Sequence, residues 1–463
     1  MLARPLTARP RPLTRAALPL MAALLSSARF AAGANPCSLS IDGATGAYSV
    51  TCGAWPALAS YETALALLGN WETSRNGSLV LRASAPISGA DAWGTWTGTE
   101  QTWATAGGGP PAMLARFRVY DDAPAIVFEQ SFPSPVIATG RTEADRDSVA
   151  SAFPSFALPP AGGPLAYMEY AGPFVNRGLA GPVFAPFDNA AGAAAYASGL
   201  SSGPTVLLDA TGANALVMSS ASAFMSASSG VTGGGAALAF GALGSAQEIP
   251  FAHSQETVLW FGAGPNAAVM AWGAALLAKY GKAHDGSATD FTNTMLGYNT
   301  DHGAYYYYNT GSYADYNQAL LAVYEESVKL AIPYKFVLLD SWWYFKGTGG
   351  GVRNWTAMGS VFEGGQAGVM KLVEQTGWKI TAHNRWWSNN TDYATVNGGG
   401  YDFFIDPPKA ESPAGGIMAL PLETRFWVDL LQNTTSQWGG GLATYEQDWV
   451  SPSNRSKPPT SPP

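Results

Sequence analysis

"YKFVLLDSWWY", from Tyr334 to Tyr344, is the stretch of sequence that decides the fold class of the second half of the chain. An apolar, β-favouring run ends on Asp340, and two tryptophans follow it closely. A short apolar run of this kind is typical of a strand that is buried on both faces. The stretch therefore predicts a buried strand with a carboxylate at its C-terminal end.

Strand and helix patterns alternate on both sides of this stretch. Further strands are predicted at 294–301, 378–387 and 442–450, and helices at 313–332, 364–377 and 423–439. "YDFFID" (401–406) is either another short strand or part of a long loop. Strands that alternate with helices and end in polar residues are typical of a parallel (β/α) barrel. Residues 286–450 are therefore predicted to form about four β/α units, the N-terminal half of a TIM-type barrel.

A half-barrel leaves the edges of its parallel sheet exposed. The last residues, "SPSNRSKPPTSPP" (451–463), lack the apolar side chains of a core element and predict a disordered tail. Either another chain completes the sheet, or the sequence is a shortened version of a longer protein. We expect the second, because the tail begins abruptly after a strand.

The first half of the chain has a different pattern. Residues 35–264 contain many short β-rich runs, such as "AMLARFRVYDD" (112–122), separated by turns with Gly and Pro, and they predict an antiparallel β-sandwich domain. A connecting helix is predicted over 265–285, with Pro265 near its start and Gly281 near its end. The predicted fold class is therefore multidomain, a β-sandwich followed by a partial (β/α)8 barrel.

Residues 1–34 have the pattern of a targeting segment. A basic region rich in arginine precedes the apolar run "AALPLMAALL" (16–25), and Ala32-Gly33-Ala34 offers a cleavage site before Asn35. This order predicts a signal peptide and a secreted or secretory-pathway protein. The apolar run is too short for a membrane span. The alternative is an organelle transit peptide, since no acidic residue occurs before Asp42.

Two further features favour the secretory route. Cys37 and Cys52 are the only cysteines, and they flank a segment that predicts a β-hairpin, so a disulfide between them is expected; two free buried thiols are the alternative. N-glycosylation sequons also occur along the chain. They lie at Asn76, Asn354, Asn389, Asn433 and Asn454.

Composition narrows the partners of the protein. The net charge of −8 and the sequence pI near 5.1 argue against nucleic acid. The 16 Trp and 20 Tyr provide flat faces that suit sugar rings, although β-sandwich cores use the same residues. The 4 His show no metal-ligand spacing, so a metal is not expected. No other cofactor is expected either. The oligomeric state stays open.

Aspartates occur at three of the predicted strand ends, at Asp301, Asp340 and Asp448. In a parallel barrel such positions converge on one pocket. Convergent carboxylates beside tryptophans fit glycoside chemistry, because one carboxylate can attack the anomeric carbon while indole rings stack on sugar faces. For any single aspartate, a helix cap or a solvated loop position is the alternative.

The barrel segments resemble the α-galactosidase, raffinose synthase and α-glucosidase clan of (β/α)8 glycoside hydrolases, whose members carry a β-sandwich before the barrel. "LGYNTDHGAYYYY" (296–308) is similar to the clan's first strand and loop, and "LLDSWWY" matches the second strand at Asp340 and Trp342, with Ser341 in place of a second aspartate. "YEQDW" places Asp448 at the clan's nucleophile, whereas Glu446 replaces the usual sugar-binding lysine.

This resemblance implies that Asp448 is the nucleophile of a retaining reaction. It further implies a set of substrate-binding side chains at the strand ends, although a plain loop position for His383 is an equal alternative. These side chains are Asp301, Asp340, Trp342, Trp343, His383, Arg385, Trp386 and Trp449. The clan's general acid comes from the second half of the barrel, so no residue here is assigned that role.

The leading hypothesis is a glycoside hydrolase that acts on O-glycosyl bonds of α-linked galactosides or glucosides. A carbohydrate substrate or glycan ligand is the expected partner. The alternative is a non-catalytic carbohydrate-binding or cell-surface protein, and a third possibility is an incomplete, inactive product. Because a nucleophile without its acid is severely impaired, we expect no hydrolysis of aryl α-galactosides or α-glucosides above background from the chain as given.

Overall fold

The computed structural model describes residues 35–55, 57–141, 148–158, 166–169, 183–186, 196, 198–199, 202–282, 289–301, 309–405 and 418–448. These residues form two compact units. The first unit holds the described residues up to Lys282, apart from Arg141 and 245–250, and the second unit holds the remainder. The segments predicted as a signal peptide (1–34) and as a disordered tail (451–463) lie outside the described residues.

Among the described residues, the first unit consists of β-strands and one α-helix. Its elements are β1 (Cys37–Ile41), β2 (Tyr48–Cys52), β3 (Leu58–Ala59), β4 (Ala64–Leu67), β5 (Asn70–Thr73), β6 (Leu79–Asp91), β7 (Gly94–Thr105), β8 (Met113–Tyr120), β9 (Ala125–Ser131), β10 (Ser151–Ala152), β11 (Ser155–Ala157), β12 (Ala166–Glu169), β13 (Val183–Pro186), β14 (Thr205–Leu208), β15 (Ala215–Ser220), β16 (Ala227–Thr232), β17 (Ala237–Ala242), β18 (Ser254–Gly262) and α1 (Pro265–Lys279).

A nine-stranded antiparallel sheet, in the order β13-β12-β14-β15-β18-β9-β8-β7-β6, dominates this unit. Three smaller antiparallel sheets accompany it, β1-β2-β3, β10-β4-β5 and β11-β17-β16. The alternation of buried and less buried residues along β8 is the period-2 pattern of a strand with one face in the core. Phe117 of the large sheet meets Tyr48 of β2 edge to face and Phe128 contacts the same ring at a tilted angle, which joins two of the sheets through a shared aromatic core.

Helix α1 packs against the large sheet within the first unit. Pro265 occupies its first turn, where a missing amide hydrogen is tolerated, and Ala268 and Ala275 are fully buried. These two small residues let the helix approach Trp93 and Trp260, and the Trp93 indole donates a hydrogen bond to the Ala275 carbonyl at 2.6 Å. The helix predicted as a connection between domains is therefore an integral part of the first unit's core.

The hairpin predicted around the two cysteines is present. β1 and β2 pair antiparallel with Cys37 opposite Cys52, and the two residues form a disulfide. Both side chains are buried. The predicted disulfide is confirmed.

The second unit alternates strands and helices. Its elements are α2 (Phe291–Thr294), β19 (Leu296–Asn299), α3 (Tyr316–Lys329), β20 (Tyr334–Leu339), β21 (Tyr344–Lys346), β22 (Val352–Ala357), α4 (Gln366–Thr376), β23 (Lys379–Asn384), β24 (Trp387–Ser388), β25 (Phe403–Ile405), β26 (Met418–Pro421), α5 (Thr424–Gln437) and β27 (Leu442–Gln447).

Strands β19, β20, β23 and β27 form a parallel sheet in chain order. Helices α3, α4 and α5 occur in the connections, and the Asp315 side chain caps α3 by accepting from the Gln318 amide at 2.9 Å. The carboxyl ends of the strands in a parallel sheet lie on one edge of the sheet. The described aspartates that follow these strands, Asp301, Asp340 and Asp448, are therefore brought to a common edge.

The connections after β20 and β23 also contain a second sheet, in the order β21-β22-β24-β26-β25. "YDFFID" contributes β25 to it, which settles the choice between strand and loop for Phe403–Ile405. This five-stranded sheet shares one apolar core with the parallel sheet, and its strands bury Tyr344, Trp355 and Trp387. The sheet is absent from the sequence-based prediction, because its strands are short and separated in the chain.

The prediction of a multidomain, β-rich chain is confirmed. In the described part of the chain, every helix is too short or too polar to cross a membrane.

Candidate functional site

The carboxyl ends of the parallel strands carry most of the polar residues that sequence reasoning selected. Asp301 follows β19, Asp340 follows β20, His383 lies near the end of β23, and Asp448 follows β27. The Asp448 amide donates to the Asn384 carbonyl at 2.8 Å, which continues the β23–β27 ladder to the nucleophile candidate. The sheet thus places these four side chains along one edge.

Thr300 links the ends of β19 and β20. Its hydroxyl is buried, donates to the Leu338 carbonyl at 2.7 Å, and accepts from the Asp340 amide at 3.2 Å and the Trp342 indole at 3.1 Å. Asp340 itself is only 6% exposed, and its carboxylate accepts from the Ser341 amide. The backbone amide and the carboxylate of Asp340 therefore both make hydrogen bonds.

His383 lies beside Asp448. The His383 Nε2 atom is 3.1 Å from Asp448 Oδ2, and its Nδ1 atom is 3.3 Å from the hydroxyl oxygen of Tyr344. The His383 side chain is 2% exposed, whereas that of Asp448 is 47% exposed. A buried imidazole therefore contacts a half-exposed carboxylate, and the alternative of a plain loop position for His383 is wrong, since His383 is a buried residue of β23.

Glu446 is the strand neighbour of His383 in the parallel register. It lies two residues before Asp448, so the two carboxyl groups face the same side of the chain. Glu446 Oε2 is buried without a hydrogen-bond partner. Burial raises the pKa of the Glu446 carboxyl; the nearby His383 lowers it, and Asp340 and Asp448 raise it further.

Trp342 and Trp343 do not present open faces. Trp342 stacks on Tyr316, with ring centroids 3.8 Å apart, and is buried. Trp343 is fully buried between Trp355 and Trp438, with ring centroids 5.4 Å and 5.2 Å away. The sequence-based assignment of both indoles to sugar stacking is corrected, because the five-stranded sheet and helix α3 cover them.

Arg385 and Trp386 lie just after β23. The Arg385 guanidinium stacks over the Trp386 ring, 5.2 Å from its centroid, and donates to the Gly350 carbonyl at 3.5 Å. Trp386 is 7% exposed and packs against Gly351. Trp386 therefore offers little indole surface to a ligand, while Trp449 lies outside the described residues.

The sequons differ in their surroundings. Asn76 is exposed in a turn, where its side chain accepts from the Ser78 amide. The Asn354 amide group donates to Asp392 at 3.3 Å, and Asn389 is partly buried. Asn433 belongs to α5, but its side chain lies outside the described part of the structure, as does Asn454.

The structure also brings in residues that sequence reasoning missed. Thr300 and Tyr344 contact the candidate side chains, yet neither has a residue type or spacing that marks it in the sequence. Within the described ranges, no group of three or more His, Cys, Asp or Glu side chains is arranged to hold a metal ion.

No protein-family model and no curated protein sequence matches the chain. Solved structures do match. An α-N-acetylgalactosaminidase from Bifidobacterium bifidum, in complex with Gal-NHAc-DNJ, gives a TM-score of 0.51 at 11% identity, over 89% of this chain and 68% of that chain. An α-galactosidase from Lactobacillus brevis gives a TM-score of 0.49 at 9% identity, over 87% of this chain and 62% of that chain. A GH36 α-galactosidase from Geobacillus stearothermophilus, in complex with raffinose, gives a TM-score of 0.46 at 12% identity, over 84% of this chain and 55% of that chain.

The chain spans between 55% and 68% of the length of these three solved structures. At such low identity, the likeness to the Bifidobacterium enzyme concerns the fold and not the activity. It agrees with the resemblance found in the sequence, which is thereby confirmed at the level of the fold. The chain shares the fold of a glycoside hydrolase.

Proposed function

We propose that the protein is a retaining glycosidase-type protein for α-linked galactosides or glucosides, with Asp448 as its nucleophile. The observation that carries this proposal is the contact between His383 and Asp448 at the carboxyl edge of the parallel sheet. A half-exposed carboxylate can reach a ligand, while its buried partner restricts its orientation. Asp301 and Asp340 at neighbouring strand ends supply acceptors for sugar hydroxyls.

The reaction divides into two displacements. In the first, one Asp448 oxygen attacks the anomeric carbon, the bond from that carbon to the glycosidic oxygen breaks, and the leaving oxygen takes a proton from a general acid, which the resembled clan carries in the second half of its barrel. In the second, water attacks the same carbon and gives its proton back to that group, the glycosyl ester bond breaks, and Asp448 is released as a carboxylate. Two inversions give net retention of configuration.

Glu446 is proposed to influence sugar recognition. It faces the same side of β27 as Asp448, and burial raises the pKa of its carboxyl. A protonated carboxyl donates a hydrogen bond as well as accepting one. Burial thus favours the neutral form of Glu446, at the position where the resembled enzymes carry a cationic lysine, and a carboxyl group there changes the hydroxyl pattern that the site prefers.

The wider architecture and the location of the protein are further proposals. The four parallel strands with their helices are proposed to be half of a TIM-type barrel, with the strand ends forming the pocket. The Cys37–Cys52 disulfide supports a secretory route, because disulfides persist in oxidising compartments. Recovery of the protein from culture medium with an N-terminus near Asn35 would support that route, whereas intracellular retention of the uncleaved chain would contradict it.

The nucleophile can be tested without a proton donor. A ring-fluorinated α-galactosyl fluoride, or its α-glucosyl counterpart, releases fluoride unprotonated and leaves a slowly hydrolysed glycosyl ester on the attacking carboxylate. We expect the intact protein to gain the mass of one fluorosugar, with the label on the peptide that contains Asp448. Asp448→Asn should remain unlabelled, and labelling of the variant, or of another carboxylate, would refute the assignment.

Hydrolysis provides a second test of the same residue. Turnover of an aryl α-galactoside that disappears in Asp448→Asn would confirm the nucleophile and contradict the expectation that the chain is inactive toward such substrates. Specific binding of a galactoside without any labelling would instead favour a non-catalytic carbohydrate-binding protein.

A further inference from the structure

We propose that Tyr344 and His383 are positioning residues that hold the Asp448 carboxylate in a fixed orientation through one of its oxygens. This inference rests on the proposed role of Asp448. It goes beyond that role because neither Tyr344 nor His383 need touch the sugar. The three side chains come from the connection after β20, from β23 and from the end of β27, so the fold itself assembles them.

While His383 is neutral, the hydrogen-bonding capacities of the three groups allow one arrangement. An ionised carboxylate only accepts, so the hydrogen between His383 and Asp448 belongs to Nε2. A neutral imidazole then has Nδ1 as its acceptor, and the Tyr344 hydroxyl is its donor. Tyr344 therefore selects the tautomer in which His383 donates to Asp448.

Packing holds this chain of hydrogen bonds in place. Tyr344 and His383 are both buried, and their rings are nearly parallel, with 7° between the planes and 6.0 Å between the centroids. The Trp355 indole donates to the His383 carbonyl at 3.0 Å, which fixes the backbone of the histidine. Asp448 is half-exposed, and its contact with His383 limits the rotation of its carboxylate.

Several ionisable groups surround the imidazole. Tyr344 and Asp448 contact it directly, and Glu446 interacts with it through charge. Asp301 and Asp340 act on Glu446 in turn. Protonation of His383 would convert Nδ1 into a donor, and the Tyr344 hydroxyl would then have to turn away or accept. Loss of that hydroxyl should therefore change how the reactivity of Asp448 depends on pH.

The first test measures the rate at which the fluorinated glycosyl fluoride labels Asp448 as a function of pH. His383→Leu removes the donor and should slow labelling by about tenfold or more, the effect expected for a lost hydrogen bond to a charged group. His383→Gln places an amide donor near the position of Nε2 and should recover most of the rate. Tyr344→Phe should alter the pH profile more than the maximal rate.

A histidine of the other unit gives the control. His253 lies in the first unit, stacked on Phe132, so His253→Gln should leave both rate and pH profile unchanged. Unchanged labelling rates in His383→Leu, together with a wild-type pH profile in Tyr344→Phe, would overturn the inference. Melting curves of every variant establish which of them are folded, and His383→Gln and Tyr344→Phe keep the test decisive where His383→Leu does not fold.

The second test needs no sugar, so it stands even if the wild-type protein is not labelled and the proposed function fails. Nitrogen NMR of the imidazoles, with the His383 signals identified by their loss in His383→Gln, reports the tautomer directly. We expect the Nε2–H form in the wild type and a mixture of tautomers in Tyr344→Phe. A wild-type signal from the Nδ1–H form, or an unchanged tautomer in Tyr344→Phe, would overturn the inference.

Discussion

The Trp342 indole stacks face to face on the Tyr316 ring, with centroids 3.8 Å apart and 13° between the planes. Tyr316 is the first residue of α3, and Trp342 follows β20, so the stack joins a helix of the second unit to its parallel sheet. The Trp342 indole also donates to Thr300. The ring that resemblance assigned to a sugar is therefore part of the packing that holds the site in shape.

Trp342→Ala should destabilise the second unit by about 3–5 kcal/mol, because it leaves a large cavity in a packed aromatic core. Urea unfolding followed by tryptophan fluorescence and circular dichroism measures the change. Val396→Ala is a suitable control, since Val396 is 72% exposed and should shift the unfolding free energy by no more than about 0.5 kcal/mol. A folded Trp342→Ala protein of wild-type stability that no longer binds a galactoside would restore the sugar-stacking role.

Glu446→Gln should stabilise the protein in a pH-dependent way. Burial raises the pKa of Glu446 in the folded state, so folding favours its protonated form. The associated stability is fully present below the carboxyl pKa of the unfolded chain and is lost as pH rises through the higher folded-state pKa. The neutral glutamine avoids this loss, so the variant should be more stable than the wild type at neutral pH and similar to it at acidic pH.

Thermal unfolding of Glu446→Gln and the wild type over a pH series measures this difference, and its acidic end provides an internal reference. The substitution also removes a negative charge next to Asp340 and Asp448, which acts in the same direction. The prediction would be contradicted by a variant that is less stable than the wild type at neutral pH. It would also be contradicted by a variant whose melting temperature differs from that of the wild type by the same amount at every pH.

The Cys37–Cys52 disulfide should stabilise the first unit. The cysteines are 15 positions apart, and a loop of that length corresponds to about 3 kcal/mol in the chain-entropy account. The double variant Cys37→Ala/Cys52→Ala should therefore unfold at a lower denaturant concentration than the wild type. A reductant should lower the denaturant midpoint of the wild type by a similar amount and leave that of the double variant unchanged. A change in the midpoint of the double variant would show that the reductant acts by another route.

The extent to which these features can be predicted depends on the range of the contacts involved. The cysteine hairpin, the start of α1 and the alternation of strands with helices follow from local patterns of apolar residues, Gly and Pro. Those patterns also place Asp340 and Asp448 at the ends of parallel strands, because strand polarity alone determines which edge they share.

Contacts between distant segments escape such patterns. The five-stranded sheet combines strands from two separate connections, and it determines that Trp343 is buried. A tryptophan after a strand has the same local sequence whether it covers a core or faces a ligand. Likewise, 39 residues separate Tyr344 from His383, so no spacing rule indicates their hydrogen bond.

Thr300 provides a last and sharply controlled prediction. Its buried hydroxyl makes three hydrogen bonds, with the Leu338 carbonyl, the Asp340 amide and the Trp342 indole. Thr300→Val keeps the shape of the side chain but leaves these groups without their partner. We expect a loss of about 1–3 kcal/mol of unfolding free energy, the cost of unsatisfied buried polar groups.

Thr300→Ser retains the hydroxyl and loses one methyl group, so its destabilisation should be smaller than that of the valine variant. Because the Asp340 amide is one of the lost partners, Thr300→Val should also weaken galactoside binding if Asp340 contacts the sugar. Calorimetric titration and urea unfolding of both variants separate the two effects. A serine variant as unstable as the valine variant would show that the methyl group contributes as much as the hydroxyl to joining the ends of β19 and β20.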